Sequence, residues 1–164
     1  MNKILVLDFD LTITDIHTGG NINDNLLYWY SIKNLNLLIH TLQKFKKYNW
    51  KIYIVSRGIE TDIIKYLEKI NILYIFDDVY GAKNISQLSE STLNWSKYKT
   101  KYLDIIIYKN KIDKNNLYFI DDTIENINIA KINYYSNSIL LPKDIGLSSL
   151  TLVSILEKIF LQNN

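Results

Sequence analysis

Lys3-Ile4-Leu5-Val6-Leu7-Asp8-Phe9-Asp10-Leu11-Thr12-Ile13-Thr14-Asp15 is an apolar run that stops on a carboxylate and meets a second one two residues later. A short unbroken apolar stretch of this kind reads as a strand buried on both faces. Working outward, Lys51-Ile52-Tyr53-Ile54-Val55 is another such run, stopping at Ser56-Arg57-Gly58, and Leu117-Tyr118-Phe119-Ile120 a third, ending in Asp121-Asp122. Between them apolar residues recur at helical spacing, at Leu35, Leu38, Leu42 and Phe45, and again at Ile59, Ile63, Leu67 and Ile70. The pattern also predicts a strand over 72–76, a Ser- and Asn-rich loop over 77–96 and a helix over about 98–108. A short helix over 123–132, a strand over 138–141 and a closing helix on Leu147, Leu150, Val153, Leu156 and Phe160 complete the chain. Strand and helix alternate, which predicts an α/β fold: one parallel sheet covered by helices on both faces, in a single domain over 1–164.

Composition removes several classes of function. The 164 residues are 48% hydrophobic and 22% charged with a net charge of +2, too apolar for a disordered chain and too weakly basic to bind nucleic acid by bulk charge. The absence of cysteine excludes disulfides, cysteine-ligated zinc and a thiol nucleophile. No apolar run approaches the ~18 residues that span a bilayer, and Asp8 interrupts the first run too early for a signal peptide. The expectation is a cytoplasmic protein with no membrane partner. Lysines outnumber the single arginine, Arg57, so heavily that any one lysine carries little information.

Position says more than number. In open parallel sheets, ligands bind beyond the carboxyl ends of the strands. Asp8 and Asp10 follow the first strand, Ser56 and Arg57 the second, and Asp121 and Asp122 the fourth, all at one sheet edge. Clustered carboxylates need a cation, and oxygen-only ligands with an open position suit Mg²⁺. A carboxylate can attack phosphorus, a second can move the proton, and a hydroxyl and a lysine can hold phosphoryl oxygens.

These residues, in this order, resemble the haloacid dehalogenase (HAD) superfamily of phosphohydrolases across nearly the whole chain. Asp8-x-Asp10-x-Thr12 is similar to its first motif, Ser56 at a strand end to its second, and Phe119-Ile120-Asp121-Asp122-Thr123-Ile124-Glu125-Asn126 to its fourth. The third motif is a lysine before the last of these strands. Lys97, Lys99 and Lys101 are candidates, and Lys99-Thr100-x-x-Leu103 is the best match. The resemblance implies a three-layer, Rossmann-like fold and a Mg²⁺-dependent phosphatase. Asp8 would be the nucleophile and Asp10 the general acid and base, with Thr12 supporting the turn. Ser56, Arg57 and Lys99 would bind phosphate. Asp8, the Asp10 carbonyl and Asp122 would hold Mg²⁺, and Asp121 and Asn126 would support them. A response-regulator receiver carries its phosphoacceptor after the third strand, which this motif order does not fit.

The segments after the first and second motifs are too short for a large cap domain. The implied partner is a phosphorylated substrate, such as a phosphoprotein or another large molecule. Ser56-Arg57, the fourth motif and Gly146-Leu147-x-x-Leu150 are similar to the small magnesium-dependent phosphatases. A polynucleotide 3′-phosphatase is the alternative enzyme, and a non-catalytic phosphate- or protein-binding module the alternative of another class. Arg57 reads equally as a clamp on a second anionic group or as a structural ion pair. Tyr28-Trp29-Tyr30 reads as a core seal ahead of a stacking platform, and His17 and His40 as incidental.

Overall fold

The computed structural model describes residues 3–18, 31–143 and 147–163. Strands β1 (Ile4–Leu7), β2 (Lys51–Ile59), β3 (Asp78–Ala82), β4 (Leu117–Asp121) and β5 (Ser138–Leu140) form one sheet in the order β3-β2-β1-β4-β5. Every neighbouring pair is parallel. The helices are α1 (Leu35–Lys47), α2 (Glu60–Lys69), the short α3 (Ile85–Leu88), α4 (Thr92–Asn110), α5 (Ile124–Ile132) and α6 (Ser148–Asn163). The α/β architecture is the one that the alternating periods predict, and no cap domain occurs among the described residues.

Successive strand side chains face opposite ways, so a sheet covered on both faces needs apolar residues at consecutive positions. Leu5, Leu7, Ile52 and Ile54 enter one core with Leu38, Leu42 and Phe45 of α1, Ile63 and Leu67 of α2, and Leu152, Leu156 and Ile159 of α6. Ile4, Val6, Tyr53, Val55, Leu117 and Phe119 enter the other, against Leu103 and Ile106 of α4 and Ile127 and Ala130 of α5. Each fully buried Leu, Ile or Phe contributes about 1.5–3 kcal/mol, so both layers hold the sheet firmly. No helix among the described residues is long and apolar enough to cross a membrane.

Strand order fixes where a ligand can sit. The chain leaves β1 for β2 and β3 on one side, then crosses back to place β4 and β5 on the other. Connections diverge at such a reversal and leave a crevice at the carboxyl ends of the two central strands. Asp8 follows β1 and Asp121 ends β4, and the Asp8 N–H donates to the Ile120 carbonyl at 2.9 Å.

Four sequence expectations are corrected. Residues 72–76 form no strand: Leu73–Ile75 is a single 3₁₀ turn, and Ile72, Ile75 and Phe76 are apolar because they plug the first core. The third strand is β3, inside the stretch expected to be loop. It lies at the sheet edge, and its sequence, Asp78-Val79-Tyr80-Gly81-Ala82, has no apolar run to betray it. The second strand passes through Ser56-Arg57-Gly58 to Ile59. There β2 and β3 approach so closely that a side-chain carbon on Gly81 would lie 2.5 Å from the Gly58 carbonyl oxygen. Helix α4 also starts earlier than its apolar spacing indicates, because the Ser91 hydroxyl caps it by accepting from the Asn94 N–H.

Candidate active site

Lys99 lies in the middle of α4 with its ammonium driven into the crevice. It is only 3% exposed, whereas Lys97 and Lys101 face solvent, so the helical turn separates the three candidates. Its Nζ donates to Asp8 Oδ1 at 2.7 Å and to Asp121 Oδ2 at 2.6 Å. Asp121 is saturated by further donors. The Thr123 N–H reaches Oδ1 at 2.8 Å, and Asn126 Nδ2 reaches the two oxygens at 2.8 and 2.9 Å. Asn126 is fixed in turn by the Ser96 hydroxyl, which donates to its Oδ1 at 2.8 Å. Asp121 thus orients the lysine, and Asn126 orients Asp121.

Asp122 is placed differently. Its carboxylate lines the pocket and meets the Thr123 hydroxyl at 3.2 Å and the exposed Lys143 ammonium at 3.5 Å. Asp8, Asp121 and Asp122 each offer an oxygen within 4.8 Å of the others. Three buried carboxylates share one buried lysine, so negative charge is in excess. Burial pushes the Asp8 carboxyl up to about 8, Asp121 and Asp122 add to the rise, and Lys99 opposes it. Asp122 is raised by burial and by Asp121, against Lys143 and Lys99. Burial works against the Lys99 charge, but Asp121 and Asp8 outweigh it and hold the amine protonated, above its ordinary range. An all-oxygen donor set with uncompensated charge fits a hard divalent cation such as Mg²⁺. Asp8 and Asp122 are the side chains that could hold it, since Asp121 already accepts from Lys99, Thr123 and Asn126.

After Asp8 the chain makes a tight turn over Phe9–Ile13, closed by the Thr14 N–H donating to the Phe9 carbonyl at 3.0 Å. Leu11 sits at φ 53°, a left-handed conformation that bends the chain back and carries Asp10 over the pocket. Thr14 Oγ1 bonds the Phe9 carbonyl at 3.3 Å and the Ile16 carbonyl at 2.8 Å. Thr12 Oγ1 is buried with no hydrogen-bond partner, so Thr12 packs beneath the turn and does not bond Asp10. Thr18 does: its hydroxyl lies 2.7 and 2.9 Å from the two Asp10 oxygens. His17 Nδ1 lies 3.2 Å from Asp10 Oδ2, and this hydrogen bond, against partial burial, raises the imidazole above its ordinary range. His17 also lines the pocket, so its reading as incidental is corrected. The one sequence signal for it and Thr18 was proximity to the first motif.

Asp15 closes the base of this segment. Its N–H donates to the Ser31 carbonyl at 2.6 Å, and its buried carboxylate accepts from the Lys33 N–H, the Ser149 N–H and the Ser149 hydroxyl at 2.7–2.8 Å. The chain on both sides of residues 16–30 is thereby tied to the start of α6. Tyr28-Trp29-Tyr30 and Gly146 lie outside the described residues.

The pocket is open, about 360 Å³, and is lined by Asp8, Asp10, Ser56, Arg57, Trp95, Lys99, Asp122, Glu125 and Lys143 among others. Ser56 is buried at its floor, where its hydroxyl accepts from the Gly58 N–H at 3.1 Å. Arg57 makes no ion pair among the described residues. Its Nη2 donates to the Leu88 and Glu90 carbonyls at 2.6 and 2.7 Å and so holds the loop that starts α4. The indole of Trp95 is fixed by donation to the Gln87 carbonyl at 2.9 Å.

No protein-family model and no curated protein matches the sequence. Solved structures do. The HAD domain of the effector protein Lem4 from Legionella pneumophila superposes with a TM-score of 0.65 at 21% identity, over 99% of this chain and 95% of that one. A haloacid dehalogenase-like hydrolase of Streptococcus pneumoniae gives 0.61 at 11% identity, over 99% and 98%. A phosphoserine phosphatase, solved as a phospho-aspartyl intermediate analogue, gives 0.58 at 13% identity, over 96% and 90%. With a five-stranded parallel sheet, helices on both faces and no large cap among the described residues, the chain has the HAD fold.

Proposed function

We propose that this protein is a Mg²⁺-dependent phosphomonoester hydrolase that works through an aspartyl-phosphate on Asp8. The observation that carries the reading is the buried Lys99 bridging Asp8 and Asp121, with Asp122 beside them at the floor of an open pocket. Asp8 attacks phosphorus, forming the new O–P bond as the bond to the leaving oxygen breaks. Asp10 gives that oxygen its proton, then takes one from the water that attacks phospho-Asp8, releasing phosphate and the Asp8 carboxylate. Lys99, the Ser56 hydroxyl and the outer face of Arg57 hold the phosphoryl oxygens. Mg²⁺, held by Asp8, Asp122 and the Asp10 carbonyl, would neutralise the excess carboxylate charge and polarise the phosphoryl group.

An open pocket suits a phosphate presented on a large molecule. With the likeness of Ser56-Arg57 and the fourth motif to the small magnesium-dependent phosphatases, this supports a phosphoprotein as substrate. Phosphate release from p-nitrophenyl phosphate, with Mg²⁺ or with EDTA, tests the chemistry. The expected result is Mg²⁺-dependent release that Asp8→Asn abolishes. No release from folded, Mg²⁺-loaded protein, or release that survives Asp8→Asn, overturns it.

A further inference from the structure

The first motif ends at Thr12, yet the groups that touch the Asp10 carboxylate come from farther along the chain. Thr18 Oγ1 donates across both Asp10 oxygens, at 2.7 and 2.9 Å, and His17 Nδ1 meets Oδ2 at 3.2 Å. A donor shared between both oxygens and a second on one edge fix the carboxylate's plane as well as its place. The two residues are themselves anchored. The Ile16 carbonyl accepts from the Thr14 hydroxyl and the Leu11 N–H, and Asp15 is bound to Ser31, Lys33 and Ser149. The chain therefore has only three residues in which to fold back over Asp10, and it arrives there from a rigid base. Thr12 offers no substitute, since its hydroxyl is buried without a partner.

We infer that Thr18, assisted by His17, is the positioning residue for Asp10, holding its carboxyl group where it delivers a proton to the departing oxygen. This rests on the phosphatase reading. General-acid help matters in proportion to how poor the leaving group is, and proton transfer from a group held out of line loses much of its effect. Loss of Thr18 should therefore penalise a poor leaving group selectively, which a merely structural role would not do.

The experiment compares kcat/KM, which reports the steps up to formation of phospho-Asp8, for phenyl phosphate and 2,4-dinitrophenyl phosphate. Dinitrophenolate leaves unaided. Thr18→Val should lower kcat/KM for phenyl phosphate roughly 10–100-fold, a part of the ~10²–10⁴ that proton transfer contributes, and change dinitrophenyl phosphate by less than about threefold. Thr18→Ser, which keeps the hydroxyl, should recover most of the loss. His17→Leu, at a side chain 68% exposed, should show a smaller loss in the same direction and stands in should Thr18→Val not fold. Equal losses on both esters, or no loss on either, overturn the inference while leaving the phosphatase reading intact. A wild-type protein inactive on both esters overturns both.

Discussion

Lys99 and Asp8, 91 positions apart in sequence, meet at 2.7 Å where the middle of α4 leans over the end of β1. The contact is buried at both ends, with the two side chains 4% and 7% exposed. Breaking a buried pair by removing one partner costs about 3–5 kcal/mol, because the other charge is left without compensation. Lys99→Met leaves Asp8 and Asp121 without their cation, so we expect a loss of that size in urea denaturation of the metal-free protein, together with loss of turnover. The loss should shrink at acid pH, where the carboxylates take up protons.

Asp8 predicts a pH dependence of the opposite sign to that of an ordinary salt-bridged aspartate. Its folded-state pKa, about 8, lies above the unfolded value of 3.8, so the folded chain binds the proton more tightly. As pH rises from about 4 towards 8, only the unfolded chain gives up that proton readily, and stability of the metal-free protein falls. Mg²⁺ binding displaces the proton, so the Mg²⁺-induced rise in Tm should grow across the same window and level off above it. Differential scanning fluorimetry in EDTA and in Mg²⁺ reads both trends. Asp8→Asn cannot ionise, and near pH 8 in EDTA it should be at least as stable as wild type. Each kcal/mol gained corresponds to about 2–4 °C in a chain of this size.

Asp15→Ala should be among the most damaging changes away from the pocket. It leaves the Ser149 and Lys33 amides without their acceptor, at about 1–3 kcal/mol for each buried donor. Chemical denaturation should show the loss, and Asp15→Asn, which keeps one acceptor oxygen, should recover part of it.

Arg57→Ala should free the loop that Arg57 holds by the Leu88 and Glu90 carbonyls. Limited proteolysis should then cut within residues 84–91 several times faster. KM should rise more than kcat falls, since the loop leads into the helix that carries Trp95 and Lys99. Arg57→Lys can satisfy only one carbonyl well and should give an intermediate rate.

The sheet's centre was legible because β1, residues 52–55 of β2 and residues 117–120 of β4 pack on both faces and are apolar. The same physics hid β3. An edge strand with Gly81 at a close approach carries little hydrophobic signal, while Ile72, Ile75 and Phe76 imitate a strand by plugging a core from a turn. At the pocket, Asp8, Asp121 and Asp122 could be read from the strand ends that fix them, and Ser56 from the end of its apolar run. Three lysines were candidates, the motif match favoured Lys99, and the helix's rotation buries Lys99 while exposing Lys97 and Lys101. Thr18 and His17 reach Asp10 through a backbone reversal at Leu11 that no periodicity reports.

The Asp15–Ser31 hydrogen bond has a consequence for how this scaffold can change. Both ends of the excursion over residues 16–30 meet at one stitched point, so its length is decoupled from the sheet and from the pocket floor. Lengthening a loop whose ends are already fixed costs only about 0.6 kcal/mol for each doubling. Sequence inserted between Thr18 and Ser31 would begin three residues after Asp15 and end on its hydrogen-bond partner. The chain can therefore grow beside Asp10 without any change to the Asp8, Asp121 and Asp122 cluster.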